Sequence, residues 1–225
     1  MITSQCHVAL LNGASASGKS RLIAGIQRIA SQAGVLRDVR IPKRTTTRPP
    51  RENESLSTEN RYLSASEFEQ KVQTGELDVQ WRRPISSTLE HRYGFRLAPE
   101  LKTPGVLILS ANNYLDWRAQ PLLQALRRQD RLMVVRIFAS EETRLDRLQA
   151  RRPPLSRTEL LSRMADVPAH ELPPADFAVP NDHAFQELAE WEFLRLLSSF
   201  AFSGAALDGP LQLPDLSVPA VGVLR

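Results

Sequence analysis

Eight consecutive residues, Gly13-Ala14-Ser15-Ala16-Ser17-Gly18-Lys19-Ser20, constrain this chain more than any other stretch. They follow the apolar run Val8-Ala9-Leu10-Leu11 and precede Arg21-Leu22-Ile23-Ala24-Gly25-Ile26, whose apolar residues recur at helical spacing. Strand, glycine loop and helix, with the spacing G-x-x-x-x-G-K-[ST], make the phosphate-binding-loop pattern. Glycines let the backbone wrap closely around an anion with successive N–H groups pointing inward. The positive end of the following helix faces the same concavity. In such a loop Lys19 reaches the outer phosphates of a nucleoside triphosphate, and the Ser20 hydroxyl ligates Mg²⁺. The alternative is a chance glycine turn. The four fixed positions recur by accident in roughly one chain in a hundred of this size, and the flanking strand and helix lower that further.

The rest of the chain has to build a domain around that loop. A chain of 225 residues fits one α/β domain with embellishments. Cys6 is the only cysteine and lies in the first apolar strand, so no disulfide framework exists and a cytoplasmic setting is expected. The first residues lack a basic region before an apolar core, and no apolar run is long enough to span a bilayer. His7, His91, His170 and His183 show no metal-ligand spacing. The net charge of +4 leaves nucleic acid, a membrane surface and phosphorylated small molecules open as partners. Aromatic residues make up only 6%, and no stacking platform interleaves with the basic ones, which argues against nucleic acid.

Residues 6–12 read as a buried strand and 19–33 as a helix presenting Leu22, Ile23, Ile26, Ile29 and Ala30, with a short strand over 35–41. Strand–helix–strand is the unit of parallel sheets. Residues 42–60 then turn basic, hydroxyl-rich and proline-broken. They are either a solvated loop or a second anion site with Arg48 and Arg51 as planar donors. A capped helix is expected over about 66–74, a strand over 77–81, and a loop or hairpin arm over 82–92. The parallel pattern resumes at Gly105-Val106-Leu107-Ile108-Leu109-Ser110, followed by a helix over about 115–129 and a strand over 132–138. Arg147, Arg151, Arg152, Arg157 and Arg163 flank the break Pro153-Pro154, which reads either as solvated helix surface or as a mobile lid. A last strand at 176–179 and a helix over about 184–200 close the domain, with Phe185, Leu188, Trp191, Phe193, Leu194 and Leu197 as expected buried positions. Residues 203–225 read as an extended tail.

The order of these pieces resembles the guanylate kinase family over about residues 6–200. The phosphate loop is followed by Thr46-Thr47-Arg48-x-x-Arg51-x-x-Glu54, Ser64-x-x-Glu67-Phe68, Trp81, Tyr93-Gly94, the arginines at 147, 151 and 163, and Val179-Pro180-Asn181-Asp182. Three departures resemble instead a related family, the ribose 1,5-bisphosphate phosphokinases of phosphonate degradation. Glu59-Asn60 stands where guanylate kinases carry a phosphate-binding tyrosine. Gln80 stands where they carry a guanine-reading glutamate, and an amide cannot offer the two acceptors of a carboxylate. Ser110-Ala111-Asn112-Asn113 replaces a strand end bearing aspartates. The stretch from Trp81 to Tyr93 is longer than in either family.

The resemblance implies an α/β fold of the nucleoside-monophosphate-kinase type: a parallel sheet with helices on both faces, an acceptor-binding insertion over 42–102 and an arginine lid over 147–163, within a domain of residues 1–202. It implies an ATP-dependent kinase acting on a small phosphorylated substrate. ATP is expected on residues 13–20 and Asn181, with Mg²⁺ on Ser20. Lys19, Arg147, Arg151 and Arg163 are the expected catalytic cations. Thr47, Arg48, Arg51, Asn60, Gln80, Tyr93 and Asn112 are the expected acceptor contacts. Ribose 1,5-bisphosphate, giving 5-phosphoribosyl 1-diphosphate, is the favoured acceptor and GMP the alternative. A non-catalytic guanylate-kinase-like binding module is the third reading, which an intact Lys19-Ser20 opposes. A monomer or homodimer without membrane or nucleic-acid partners completes the expectation.

Overall fold

The structure is a computed structural model that describes residues 5–33, 38–50, 59–86, 88–151, 154–165, 167 and 171–201. Arg51, Glu54, Arg152, His170 and the 203–225 tail lie outside the described residues, as do positions 35–37 of the second expected strand.

Strand β1 (Cys6–Asn12) is buried along its whole length, which is why it carries no alternation and reads as a continuous apolar run. It pairs in parallel with β7 (Gly105–Ser110) on one side and β8 (Leu132–Phe138) on the other. Short β2 (Val39–Arg40) adds beyond β7, and β9 (Phe177–Pro180) beyond β8. The five-stranded order is β2-β7-β1-β8-β9. Helix α1 (Lys19–Ala33) turns Leu22, Ile23, Ile26 and Ile29 onto one face of this sheet, where α6 (Gln186–Ala201) adds Phe193, Leu194 and Leu197. Of the residues expected to be buried on α6, Leu188 is instead 63% exposed. It lies off the stripe that Ala189, Phe193 and Leu197 present to the sheet.

The second sheet has the order β4-β3-β6-β5, from β3 (Arg44–Thr46), β4 (Asn60–Tyr62), β5 (Val79–Pro84) and β6 (Glu90–Phe95). Its inner residues Val79, Trp81, Tyr93 and Phe95 join one cluster with Val8, Leu10, Leu107 and Leu109 of the main sheet. The two sheets therefore share a core. Helix α2 (Ala65–Gln73) is fixed by a capping box, in which Ser64 Oγ accepts from the Glu67 N–H and the Glu67 carboxylate accepts from the Ser64 N–H. The expected arm over 82–92 is a continuation of β5 paired with β6 as far as Pro84–Glu90.

The helix expected over about 115–129 is shorter. A 3₁₀ turn spans Trp117–Ala119, and α3 (Pro121–Arg128) starts at Pro121, whose ring fixes a first-turn backbone but blocks helix on its N-terminal side. Helices α4 (Glu141–Gln149) and α5 (Arg157–Met164) lie either side of the Pro153-Pro154 break, each capped by a serine, Ser140 and Ser156.

Trp81 stacks on Tyr93 with ring centroids 5.3 Å apart and donates Nε1–H to Asn112 Oδ1 at 3.0 Å, so one side chain ties the second sheet to the end of β7. Trp81→Ala is expected to lower the unfolding free energy by about 3–5 kcal/mol, read from urea denaturation.

Candidate functional site

The loop between β1 and α1 is held by its carbonyls. Lys19 Nζ donates to Gly13 O at 2.6 Å and Ala14 O at 2.8 Å. Arg144 Nε donates to Ser15 O at 3.1 Å, Arg147 Nη1 to Ala16 O at 3.2 Å, and Asn181 Nδ2 to Ser17 O at 2.8 Å. Two backbone positions lie in the left-handed region, Ala16 with φ 64° and Gly18 with φ 91°. A Cβ on Gly13 would strike the Ile137 carbonyl, and one on Gly18 would strike the Asn181 amide. No side chain fits at either glycine.

This loop forms one wall of a cleft of about 270 Å³. From the loop and α1 come Ser15, Ala16, Gly18, Lys19, Ser20 and Arg21; from the second sheet and its flanks, Arg44, Arg48, Glu59, Asn60, Arg83 and Tyr93. Ser110 and Asn112 close it at the end of β7, and Arg147, Arg151 and Arg163 at the side of α4 and α5. Lys19 and seven arginines thus face a single carboxylate, Glu59, among the described residues lining the cleft.

The cleft brings together most of the residues that the sequence singles out, and leaves others beside it. Arg48 is buried, with Nη1 donating to Pro49 O at 3.0 Å and its guanidinium over the Tyr62 ring. Asn60 Oδ1 accepts from Arg44 Nε at 3.1 Å and Nη2 at 2.9 Å, and the same guanidinium lies over Tyr93, 5.4 Å from the ring centroid. Arg163 is 8% exposed and pairs with Glu159 at 3.2 Å. Burial pushes the Arg147 pKa down from its ordinary value, with Asp182 opposing, yet an arginine stays cationic throughout the physiological range. Asn112 spends its Oδ1 on Trp81 and on the Tyr114 N–H.

Gly13, Ala14, Ser17 and Asn181 do not line the cleft; they hold the loop's shape from behind. Thr47 accepts from the Arg92 N–H and belongs to sheet pairing. Gln80 is exposed and outside the lining, with its backbone N–H and carbonyl both bonded to the Gln120 side chain.

Four residues of this region were not singled out as ligands by the sequence. Arg83 donates to Ser15 Oγ at 3.0 Å and to Ser162 O at 3.1 Å, linking the second sheet, the loop and α5. Arg144 joins the loop to the carbonyls of Arg163 and Met164. Arg44 and Glu59 supply a cation and an anion beside Asn60. Neighbouring arginines also shape His91: burial first, then Arg48, Arg163 and Arg83, push its pKa below the ordinary value, which favours the neutral ring at neutral pH.

A parallel sheet whose central strand feeds a phosphate loop, with an arginine-lined cleft above it, defines a guanylate-kinase-like P-loop kinase. The fold is shared with guanylate kinase from Anaplasma phagocytophilum, at a TM-score of 0.58 and 16% identity over 89% of each chain. A gluconokinase from Sinorhizobium meliloti, at a TM-score of 0.39 and 16% identity over 88% of this chain and 97% of its own, is too distant to bear on the fold. No family model matches the chain. The chain belongs to the ribose 1,5-bisphosphate phosphokinase family: it is 32% identical over 175 residues to Ribose 1,5-bisphosphate phosphokinase PhnN of Pseudofrankia inefficax, covering 76% of this chain and 80% of that protein.

Arg144 is the junction most exposed to test. Arg144→Ala removes a buried cation from three carbonyls. Loss of charge-assisted bonds of this kind costs about 1.5–3 kcal/mol, expected in urea unfolding together with faster amide exchange across residues 157–164.

Proposed function

We propose that this kinase transfers the γ-phosphoryl group of ATP to ribose 1,5-bisphosphate, giving ADP and 5-phosphoribosyl 1-diphosphate. An oxygen of the acceptor's 1-phosphate attacks the γ phosphorus, and the bond to the β,γ-bridging oxygen breaks with ADP as leaving group. A phosphate oxygen is already anionic, so the reaction asks for positioning and charge stabilisation rather than a strong base.

The observation that carries the reading is the charge of the cleft, eight cationic side chains against Glu59. Each phosphomonoester brings about −1.5 to −2 at neutral pH, so a bisphosphate acceptor doubles the negative charge of a monophosphate. Arg48, Arg44 and Arg83 offer guanidiniums from the second sheet, and Arg147, Arg151 and Arg163 from the α4–α5 side. The activity named for the 32%-identical relative supports the same acceptor. Gln80, exposed outside the cleft, leaves the described lining with no carboxylate besides Glu59 to read a guanine edge.

In this reading Lys19 turns from the Gly13 and Ala14 carbonyls to the outer phosphates of ATP. Mg²⁺ fits beside Ser20: the Ser20 hydroxyl and the Glu59 carboxylate are adjacent hard oxygen donors at the cleft wall. Bound there, it would neutralise charge on the β- and γ-phosphates. Arg147, already fixed to Ala16 O and to Asn181 O at 2.8 Å, stands ready beside the loop without needing to be ordered by substrate.

Coupled ADP-release assays with ribose 1,5-bisphosphate and GMP side by side test the proposal. A kcat/KM for the bisphosphate at least tenfold above that for GMP is expected, and a preference for GMP would overturn the acceptor assignment. Lys19→Ala is expected to lower kcat by two or more orders of magnitude with the fold intact by circular dichroism, about the cost of removing one preorganised charge-stabilising group. Arg48→Ala is expected to raise KM for the acceptor more than KM for ATP.

A further inference from the structure

P-loop enzymes hold Mg²⁺ between the loop's serine or threonine hydroxyl and an acidic side chain of the central sheet. This chain has the hydroxyl, Ser20, but no carboxylate in the expected place. Neighbouring β1 are β7 and β8. The first ends Leu109-Ser110-Ala111-Asn112-Asn113, the second Ile137-Phe138-Ala139-Ser140, with no acidic residue in either run. Strand β2 runs into Ile41-Pro42-Lys43, which has none either.

The carboxylate at the cleft comes from the other sheet. Glu59 immediately precedes β4, and its Oε2 accepts the Ser20 hydroxyl at 3.0 Å. Its backbone is anchored, with Glu59 O accepting from the Arg44 N–H at 2.9 Å. The next residue is anchored as well, since Asn60 Oδ1 accepts twice from the Arg44 side chain. Glu59 therefore reaches Ser20 from a fixed strand rather than from a free loop tip.

From this juxtaposition we propose that Glu59 is the acidic partner of Ser20 in the Mg²⁺ site, taking the place of the missing strand-end carboxylate. A site of one hydroxyl, one carboxylate, water and nucleotide phosphates is what Mg²⁺ ordinarily accepts. A consequence follows for the acceptor side. Because Glu59 is joined through Arg44 and Asn60 to the second sheet, a metal held by Ser20 and Glu59 would tie that sheet to the loop.

The inference rests on the reading of the loop as an ATP·Mg²⁺ site, and the test separates the two. Calorimetry on the full chain measures binding of a non-hydrolysable ATP analogue, the β,γ-imido triphosphate, with excess Mg²⁺ and again with EDTA. Wild type is expected to bind more tightly with Mg²⁺. Glu59→Gln keeps shape and removes charge. It is expected to lose about tenfold or more of that metal-dependent gain, the usual effect of removing a ligand or its supporting group. In EDTA the same variant is expected to bind the analogue as tightly as wild type or more tightly, because an anion facing the phosphates has gone. A Glu59→Gln variant with the full Mg²⁺ gain overturns the assignment of Glu59 alone. Weaker binding in both conditions overturns it too, since that is the signature of a purely structural role. A wild type indifferent to Mg²⁺ removes the ATP·Mg²⁺ reading and Glu59 with it.

Discussion

The constraint on which the rest of the structure depends is where the carbonyls of residues 13–17 point. An anion can sit in the loop only if its N–H groups face inward, and that requires the carbonyls to face outward and find donors there. All five do. Lys19 takes Gly13 and Ala14, Arg144 takes Ser15, Arg147 takes Ala16, and Asn181 takes Ser17. Four of these five bonds come from cations, which are stronger than neutral bonds and add positive potential where a phosphate would lie. The glycine requirement is the same constraint seen sterically. The space behind Gly13 is filled by the carbonyl of Ile137 in β8, and that behind Gly18 by the amide of Asn181 just after β9. The loop is a packed object.

Because its donors come from distant elements, the loop couples them. Arg144 serves the Ser15 carbonyl and the carbonyls of Arg163 and Met164, so the shape of the loop and the seat of α5 share one guanidinium. Arg83 serves the Ser15 hydroxyl and the Ser162 carbonyl from the opposite side. A movement of α5 carrying Arg163 cannot leave the loop or the second sheet unaffected. The loop, α5 and the second sheet are therefore held by one set of shared guanidiniums.

The sequence showed what local patterns can show. The buried strand, the loop and α1 are legible because each is written in a few adjacent residues: a continuous apolar run, fixed glycines and a 3.6-residue stripe. The capping box at Ser64 and Glu67 is equally local. What escaped depends on pairings that no window contains. Glu59 meets Ser20 across 39 positions, and Arg83 meets Ser15 across 68. Arg144 was one arginine in a segment full of them, and only the loop carbonyl 129 positions away sets it apart. The misjudged details have equally physical sources. Pro121 resets the start of α3, and the apolar residues of α6 outnumber the places its buried stripe offers, so Leu188 stays in solvent.

The long stretch between Trp81 and Tyr93 acquires a purpose from strand parity. Side chains alternate along β5, so Val79, Trp81 and Arg83 share the inward face, while Gln80, Arg82 and Pro84 face out. The first two lie in the core that the two sheets share. The third is carried about 7 Å beyond Trp81 by two residues of strand rise, past the edge of that core and over the loop. An arginine at that position covers Tyr114, 5.8 Å from its ring centroid, and ends on Ser15 and Ser162. Reaching there requires β5 and β6 to stay paired beyond the core, and they do, through Arg82–Arg92, Arg83–His91 and Pro84–Glu90. A hairpin that stopped at the core edge could place an apolar residue at the sheet interface but no cation above the loop. The continued pairing is the means by which β5 adds its own guanidinium to those of Arg44 and Arg48 in the cleft, and the same parity turns Gln80 away from it.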